Sequence, residues 1–210
     1  MHFADLDAVT VDGYGTLLTL VDPVPSLTRS LAEHGVDREP ELVREAFAAE
    51  VAYYRPEAVR GRDAETLADL RRDCTSVFLR AATAELEPAS FVDAFMAAIR
   101  FEAVPGALET LAALRTRGLA LAVVSNWDIG LAEHLERLGA DGLFSAVVTS
   151  AEAGTAKPDP AAFLIALERL EVVPGRALHV GDEDEDEQGA AQAGMSFAAA
   201  PLTTAFEGWS

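Results

Sequence analysis

Ala8-Val9-Thr10-Val11-Asp12-Gly13-Tyr14-Gly15-Thr16 is the stretch on which the fold turns. Four small, apolar or β-branched residues form a short buried strand, and the Asp-Gly-Tyr-Gly that follows is turn chemistry, so the strand delivers a carboxylate into a loop. Working outward, the pattern repeats. Leu119 to Val124 runs into Ser125-Asn126, Ala146 to Val148 into Thr149-Ser150, and Ala177 to Val180 into Gly181-Asp182, while Met195 to Ala200 supplies a last strand. Helical patterns at Ala107 to Arg117 and Ala161 to Leu170 alternate with these strands, introduced by Pro105-Gly106 and Pro158-Asp159-Pro160. Gly118 and Gly139 stand where helix stops are expected. Strands and helices alternating in this way predict an α/β fold, with a Rossmann-like parallel sheet covered on both faces. Ligands in such sheets bind beyond the carboxyl ends of the strands, and four separate segments bring polar residues to that rim.

From about Pro23 to Arg100 the character changes to helical periodicity without strand signals. Helices are predicted over Pro25 to His34, Glu39 to Tyr54, Asp63 to Ala82 and Pro88 to Arg100. The expected organisation is a core of residues 1–20 and 101–210 with an inserted α-helical cap of residues 21–100, placed to exclude water and choose the substrate.

A net charge of −19 would repel phosphate backbones and anionic membranes, which argues against nucleic acid and membrane surfaces as partners. No apolar run reaches the roughly 18 to 20 residues needed to span a bilayer. The single cysteine, Cys74, cannot form an internal disulfide, and no secretory leader pattern opens the chain, so a cytoplasmic setting is expected. Lys157 is the one lysine among 16 basic residues. A lone ammonium group beside Pro158 is a candidate for chemistry that a planar guanidinium cannot do.

Asp12, at the end of a buried strand, sits where the amides of a tight turn can point at a bound anion, and such a carboxylate can attack phosphorus or carbon. Alone, it could equally cap its own turn. Ser125 and Asn126 can hydrogen-bond the oxygens of a transferring group, and Lys157 can neutralise charge on nucleophile and substrate. Asp182 and Asp186 stand four apart, so on a helical turn both face one point. Two carboxylates aimed at a third repel unless a cation lies between them, and an all-oxygen set suits Mg²⁺. The neighbouring Glu183, Asp184, Glu185 and Glu187 read as a solvated helix N-terminus. His179 reads as a hydrogen-bonded core residue, while His2, His34 and His134 show no ligand spacing. Trp127 either lines a substrate pocket or packs under the rim.

Taken in order, Asp12-Gly13-Tyr14-Gly15-Thr16, Val124-Ser125-Asn126, Lys157-Pro158-Asp159-Pro160 and Gly181-Asp182 through Asp186 resemble the four motifs of the haloacid dehalogenase-like superfamily. The resemblance covers roughly residues 5 to 22 and 101 to 200. It implies Asp12 as nucleophile, Thr16, Ser125 and Lys157 on the phosphoryl or carboxylate group, and Asp182 and Asp186 positioning Mg²⁺ with Asp12 and the backbone carbonyl of Tyr14. The expected partner is a small-molecule substrate; the oligomeric state is not legible.

One departure matters. Phosphatases of that family usually carry a general-acid Asp two residues after the nucleophile, and here Tyr14 stands in its place, as in 2-haloacid dehalogenases. The acidic fourth motif points the other way, because dehalogenases use no metal. Three readings therefore stay open: a Mg²⁺-dependent phosphohydrolase; a metal-independent dehalogenase with Arg44 on the halide; and a catalytically weak regulatory relative. A tyrosine of ordinary pKa about 10 is a poor acid, so the first reading favours acyl, aryl or enol phosphates.

Overall fold

Strand β1 (Ala8–Val11) lies at the centre of a five-stranded sheet with β4 (Ala120–Ser125) and β6 (Ala177–Gly181) on either side. The order is completed by β5 (Ala146–Thr149) beyond β4 and β7 (Ser196–Ala199) beyond β6, and every pairing is parallel. The chain thus winds one way from β1 and then returns to wind the other way. The crevice that opens where the direction reverses is at the end of β1, where Asp12 stands. This computed structural model describes residues 3–207, so His2 and the outermost residues of the expected core, 1–2 and 208–210, lie outside the described residues.

Alternation along the strands divides the packing between two faces. Val9, Val11, Leu121, Val123, Leu178 and Val180 pack with Leu111 and Leu114 of α5 (Ala107–Thr116) and with Leu131 and Leu135 of α6 (Leu131–Arg137). On the opposite face Ala8, Ala122 and Val124 meet Phe163 and Ala166 of α8 (Ala161–Leu170) and Ala190 of α9 (Asp184–Gln192). Small alanines on that face let α8 approach closely. Each fully buried Leu or Phe contributes roughly 1.5–3 kcal/mol through water excluded from its surface. Two short helices, α7 (Ser150–Ala153) and α10 (Leu202–Ala205), fill the remaining connections.

Between β2 (Leu18–Leu20) and β3 (Phe101–Ala103) the chain forms α1 (Val24–Glu33), α2 (Pro40–Glu57), α3 (Ala64–Ala81) and α4 (Pro88–Ala98), within a few residues of the four predicted helices. A cluster of their own, with Leu27, Leu31, Phe78, Phe91 and Phe95 fully buried, holds them together. Start signals are local: Pro40 and Pro88 occupy first-turn positions, and Asp63 forms a reciprocal capping box with Thr66. The antiparallel pairing of β2 with β3, Leu18 opposite Ala103 and Leu20 opposite Phe101, closes the base of this insertion. Neither strand was legible, because three residues are too few to show a period.

Candidate active site

The carboxyl ends of β1, β4 and β6 and the loop before α8 bring four segments to one point. Asp12 Oδ1 accepts hydrogen bonds from Ser125 Oγ at 3.0 Å and from Lys157 Nζ at 2.5 Å. The same ammonium group donates to Asp186 Oδ1 at 2.6 Å and to the Val124 carbonyl at 3.3 Å. Lys157 therefore lies as a fixed cation between two buried carboxylates. Oxygens of Asp12, Asp182 and Asp186 lie within 4.8 Å of one another, and Thr16 Oγ1 donates to Asp182 Oδ1 at 3.0 Å.

Backbone constraints explain how the acids come so close. Gly15 has φ +87°, which a glycine adopts without strain, and a β-carbon there would stand 2.2 Å from an Asp182 oxygen. At Gly181 a β-carbon would stand 2.3 Å from Cγ of Asp186. Asp186 is also part of the N-terminus of α9: its Oδ2 accepts from the Glu183 amide at 3.1 Å. One residue thus serves both as helix cap and as rim carboxylate.

Electrostatics follow from burial. Burial pushes the Asp186 carboxyl upward, but the His179 hydrogen bond and the Lys157 charge outweigh it and hold the group ionised, below the usual carboxylate range. Burial pushes the His179 imidazole down, so the ring is neutral. Its Nε2 hydrogen then points at Asp186, 3.0 Å away, and its Nδ1 accepts from Thr10 at 2.8 Å. Burial raises the Asp12 carboxyl, the Lys157 ammonium pulls it back, and Asp186 adds to the push, leaving it above the ordinary value. Burial pushes the Lys157 ammonium down, and Asp12 and Asp186 outweigh that and hold it above its ordinary value, so it stays charged.

The rim forms the floor of a cavity of about 480 Å³ walled by α2, α3, the end of α4 and the β4–α6 loop. A family model of haloacid dehalogenase-like hydrolases matches residues 6–194, nearly the whole chain. The chain belongs to this family. Among haloacid dehalogenase-like proteins, it is 44% identical over 96 residues to the bovine (Bos taurus) haloacid dehalogenase-like hydrolase domain-containing protein 3, covering 45% of this chain and 38% of that one. It is 44% identical over 93 residues to a glyceraldehyde 3-phosphate phosphatase of Methanopyrus kandleri, covering 43% and 40%. The matches thus span about two fifths of those relatives' length. The L-2-haloacid dehalogenase structure from Xanthobacter autotrophicus superimposes with a TM-score of 0.67 at 25% identity, over 93% of this chain and 77% of that one.

Within this haloacid dehalogenase-like framework, Asp12, Ser125, Lys157, Asp182 and Asp186 come together as the sequence predicts. Thr16 is fully buried and its hydroxyl is turned to Asp182. Asn126 works on the backbone: it accepts from the Lys157 amide at 2.7 Å and donates to the Lys157 carbonyl at 3.2 Å, fixing where that lysine starts. Tyr14 is 44% exposed, lines the cavity and meets Phe101 edge-on. Arg44 does not reach the site, since it faces solvent on α2 and pairs with Glu41 at 3.7 Å. Glu183 and Glu185, read as merely solvated, stand at the cavity: Glu183 pairs with Arg55 at 3.6 Å and Glu185 accepts from Asn126 at 3.1 Å. Trp127 both lines the cavity and packs on Phe101 and His134.

Among the polar residues of the cavity, Glu50, Tyr54, Arg55, Arg71 and Asp128 escaped sequence reasoning. Tyr54 donates its hydroxyl to Asp128 at 2.8 Å, tying α2 to the β4–α6 loop. Glu50 carried a legible signal. It occupies the apolar stripe of α2, seven residues after buried Val43 and four before Tyr54, where a carboxylate is out of place.

Proposed function

We propose that this protein is a Mg²⁺-dependent phosphohydrolase acting on a small molecule through an aspartyl-phosphate on Asp12. The observation that carries this reading is the Lys157 ammonium group held between Asp12 and Asp186, with Asp182 within reach of both. One carboxylate is needed to attack, and the other two have no role in attack.

The donor set fits a hard divalent cation: Asp12, Asp182 and Asp186 supply oxygen alone, and Asp12 Oδ2 has no hydrogen-bond partner among the described residues. Those three, with the Tyr14 carbonyl, would hold Mg²⁺; bound there, it would neutralise charge on the phosphoryl oxygens. Asp12 attacks phosphorus, the ester oxygen leaves, and water then hydrolyses the mixed anhydride to return the carboxylate. Ser125 and Lys157 orient Asp12 and offer donors to the phosphoryl oxygens, while Thr16 steadies Asp182. The helices of residues 21–100 act as a cap that excludes water from the anhydride.

Tyr14 leaves the ester oxygen without a carboxylic proton donor two residues after the nucleophile, so good leaving groups react fastest. General acid assistance is commonly worth about 10² to 10⁴ in rate, and alkyl phosphates lose that help. The named phosphatase among the relatives supports phosphoryl chemistry. Tyr14 and the dehalogenase structure support the rival reading, 2-haloacid dehalogenation, but Arg44 offers it no halide ligand. No helix among the described residues is long and apolar enough to cross a membrane, and the buried free thiol of Cys74 suits a reducing cytoplasm.

The test is hydrolysis of acetyl phosphate and p-nitrophenyl phosphate with Mg²⁺ and with EDTA, beside chloride release from 2-chloropropionate. Phosphate release that chelation stops and D12N abolishes is expected. Turnover indifferent to EDTA, or chloride release in its place, would overturn the reading.

A further inference from the structure

Away from the rim, the cavity is lined largely by apolar side chains such as Phe47, Val51, Leu70 and Met96. One carboxyl group is set into that wall. Glu50 of α2 is only 5% exposed, and among the described residues no strong side-chain donor reaches it, its neighbour on α3 being the weakly donating thiol of Cys74. The other acids of the cavity have strong donors. Asp12 has Lys157, Glu183 has Arg55, Glu185 has Asn126, and Asp128 has the Tyr54 hydroxyl and the Gly130 amide. The cavity's arginines are directed elsewhere, Arg55 pairing with Glu183 and Arg71 with Glu133 at 3.5 Å, and neither is paired with Glu50.

A carboxyl group in an apolar wall without a cation or a good donor costs stability. An alanine or leucine would fill the stripe at less cost. The group gains a partner when a ligand brings one. We propose that Glu50 forms a subsite for a protonated primary amine at the leaving-group end of the substrate, so that the protein acts on phosphate esters joined to an ammonium group through an apolar linker.

The chemistry selects an amine over its competitors. A compact ammonium ion brings three donors to the carboxylate, whereas a guanidinium brings five, of which one carboxylate takes two and an apolar wall satisfies none, and a neutral hydroxyl gains only an ordinary hydrogen bond. Burial holds Glu50 protonated up to about 7 when the subsite is empty, and an entering cation favours the carboxylate. A chain of net charge −19 also draws cationic ligands toward its clefts. The linker lies against apolar and aromatic walls, and about 480 Å³ is room for a small molecule of this kind.

This inference rests on the phosphohydrolase reading, and its test separates the two. The kcat/KM values of 4-(2-aminoethyl)phenyl phosphate, of its uncharged isostere 4-propylphenyl phosphate and of acetyl phosphate are measured for the wild type and E50Q. The wild type is expected to prefer the amine over the isostere by about tenfold or more, mainly through KM, since a buried polar group left unpaired rejects the analogue lacking its partner. E50Q should bring the two esters near parity and leave acetyl phosphate within about twofold. Calorimetric titration of pentylamine reads the subsite without turnover, with binding expected to the wild type and lost in E50Q. Failure of all three substrates to react sinks the phosphohydrolase reading, while the titration still judges the subsite. Equal use of amine and isostere by the wild type overturns the proposal, as does a preference surviving in E50Q. A uniform loss on all three substrates would assign Glu50 to proton transfer or support and overturn it too.

Discussion

The rim at the end of β1 and the wall formed by α2 and α3 treat buried carboxylates in opposite ways. At the rim, Asp12 and Asp186 share one ammonium ion, and His179, Ser125 and the Glu183 amide occupy further lone pairs. In the wall, Glu50 has, among the described residues, a thiol and nothing stronger. A set of charges largely paired within the protein, with Asp12 Oδ2 left open at the reacting point, is arranged for a reaction that must repeat identically, whereas an unpaired carboxyl in an apolar wall is arranged for a visitor. The difference separates what the protein does from what it does it to.

Removing the rim's cation should have the largest effect. Lys157→Met leaves Asp12 and Asp186 buried without their shared partner, and breaking such a pair typically costs about 3–5 kcal/mol. Urea unfolding at pH 7 should show a loss of that order, together with loss of turnover. Loss of turnover with unchanged stability would mean that the rim carboxylates need no internal cation, and the contrast would collapse.

Glu50 should answer with the opposite sign. Its carboxyl is raised from an ordinary 4.5 to about 7, so between those values the unfolded chain sheds a proton that the folded one keeps. The folded state is therefore favoured below about 4.5, loses that advantage as pH rises to about 7, and changes no further above it. Glu50→Gln, which has no such proton to lose, should be more stable than the wild type above pH 7, by at most about 3 kcal/mol. Chemical denaturation across pH 5 to 8 checks this, and a variant less stable at every pH would show that Glu50 already has a partner.

A smaller change tests the spacing of the acids. Gly181→Ala drives a methyl group into Asp186, and overpacking of that kind costs about 1–3 kcal/mol. The expected signature is weakened Mg²⁺ activation rather than an altered choice of substrate. Arg44→Ala should do least, within about 1 kcal/mol in stability and with unchanged turnover, because an exposed pair contributes little. A measurable loss of activity would return Arg44 to the site.

Much of this molecule was legible because the relevant physics is local. Alternating apolar strands and amphipathic helices determine a parallel sheet, since no other arrangement buries those faces. The order of Asp12, Ser125, Lys157 and the 182/186 pair marked the rim, since parallel strands must end on one side. The four inserted helices showed themselves by period. Only tertiary structure decided the rest. It put Lys157, rather than a gap, between the carboxylates, turned Thr16 and Asn126 toward protein groups, and left Arg44 in water. It also set Glu50 against a cavity that the inserted helices and the rim at the strands' carboxyl ends enclose together. Which face of a helix meets a cavity depends on what stands opposite, and no stretch of sequence contains its own surroundings.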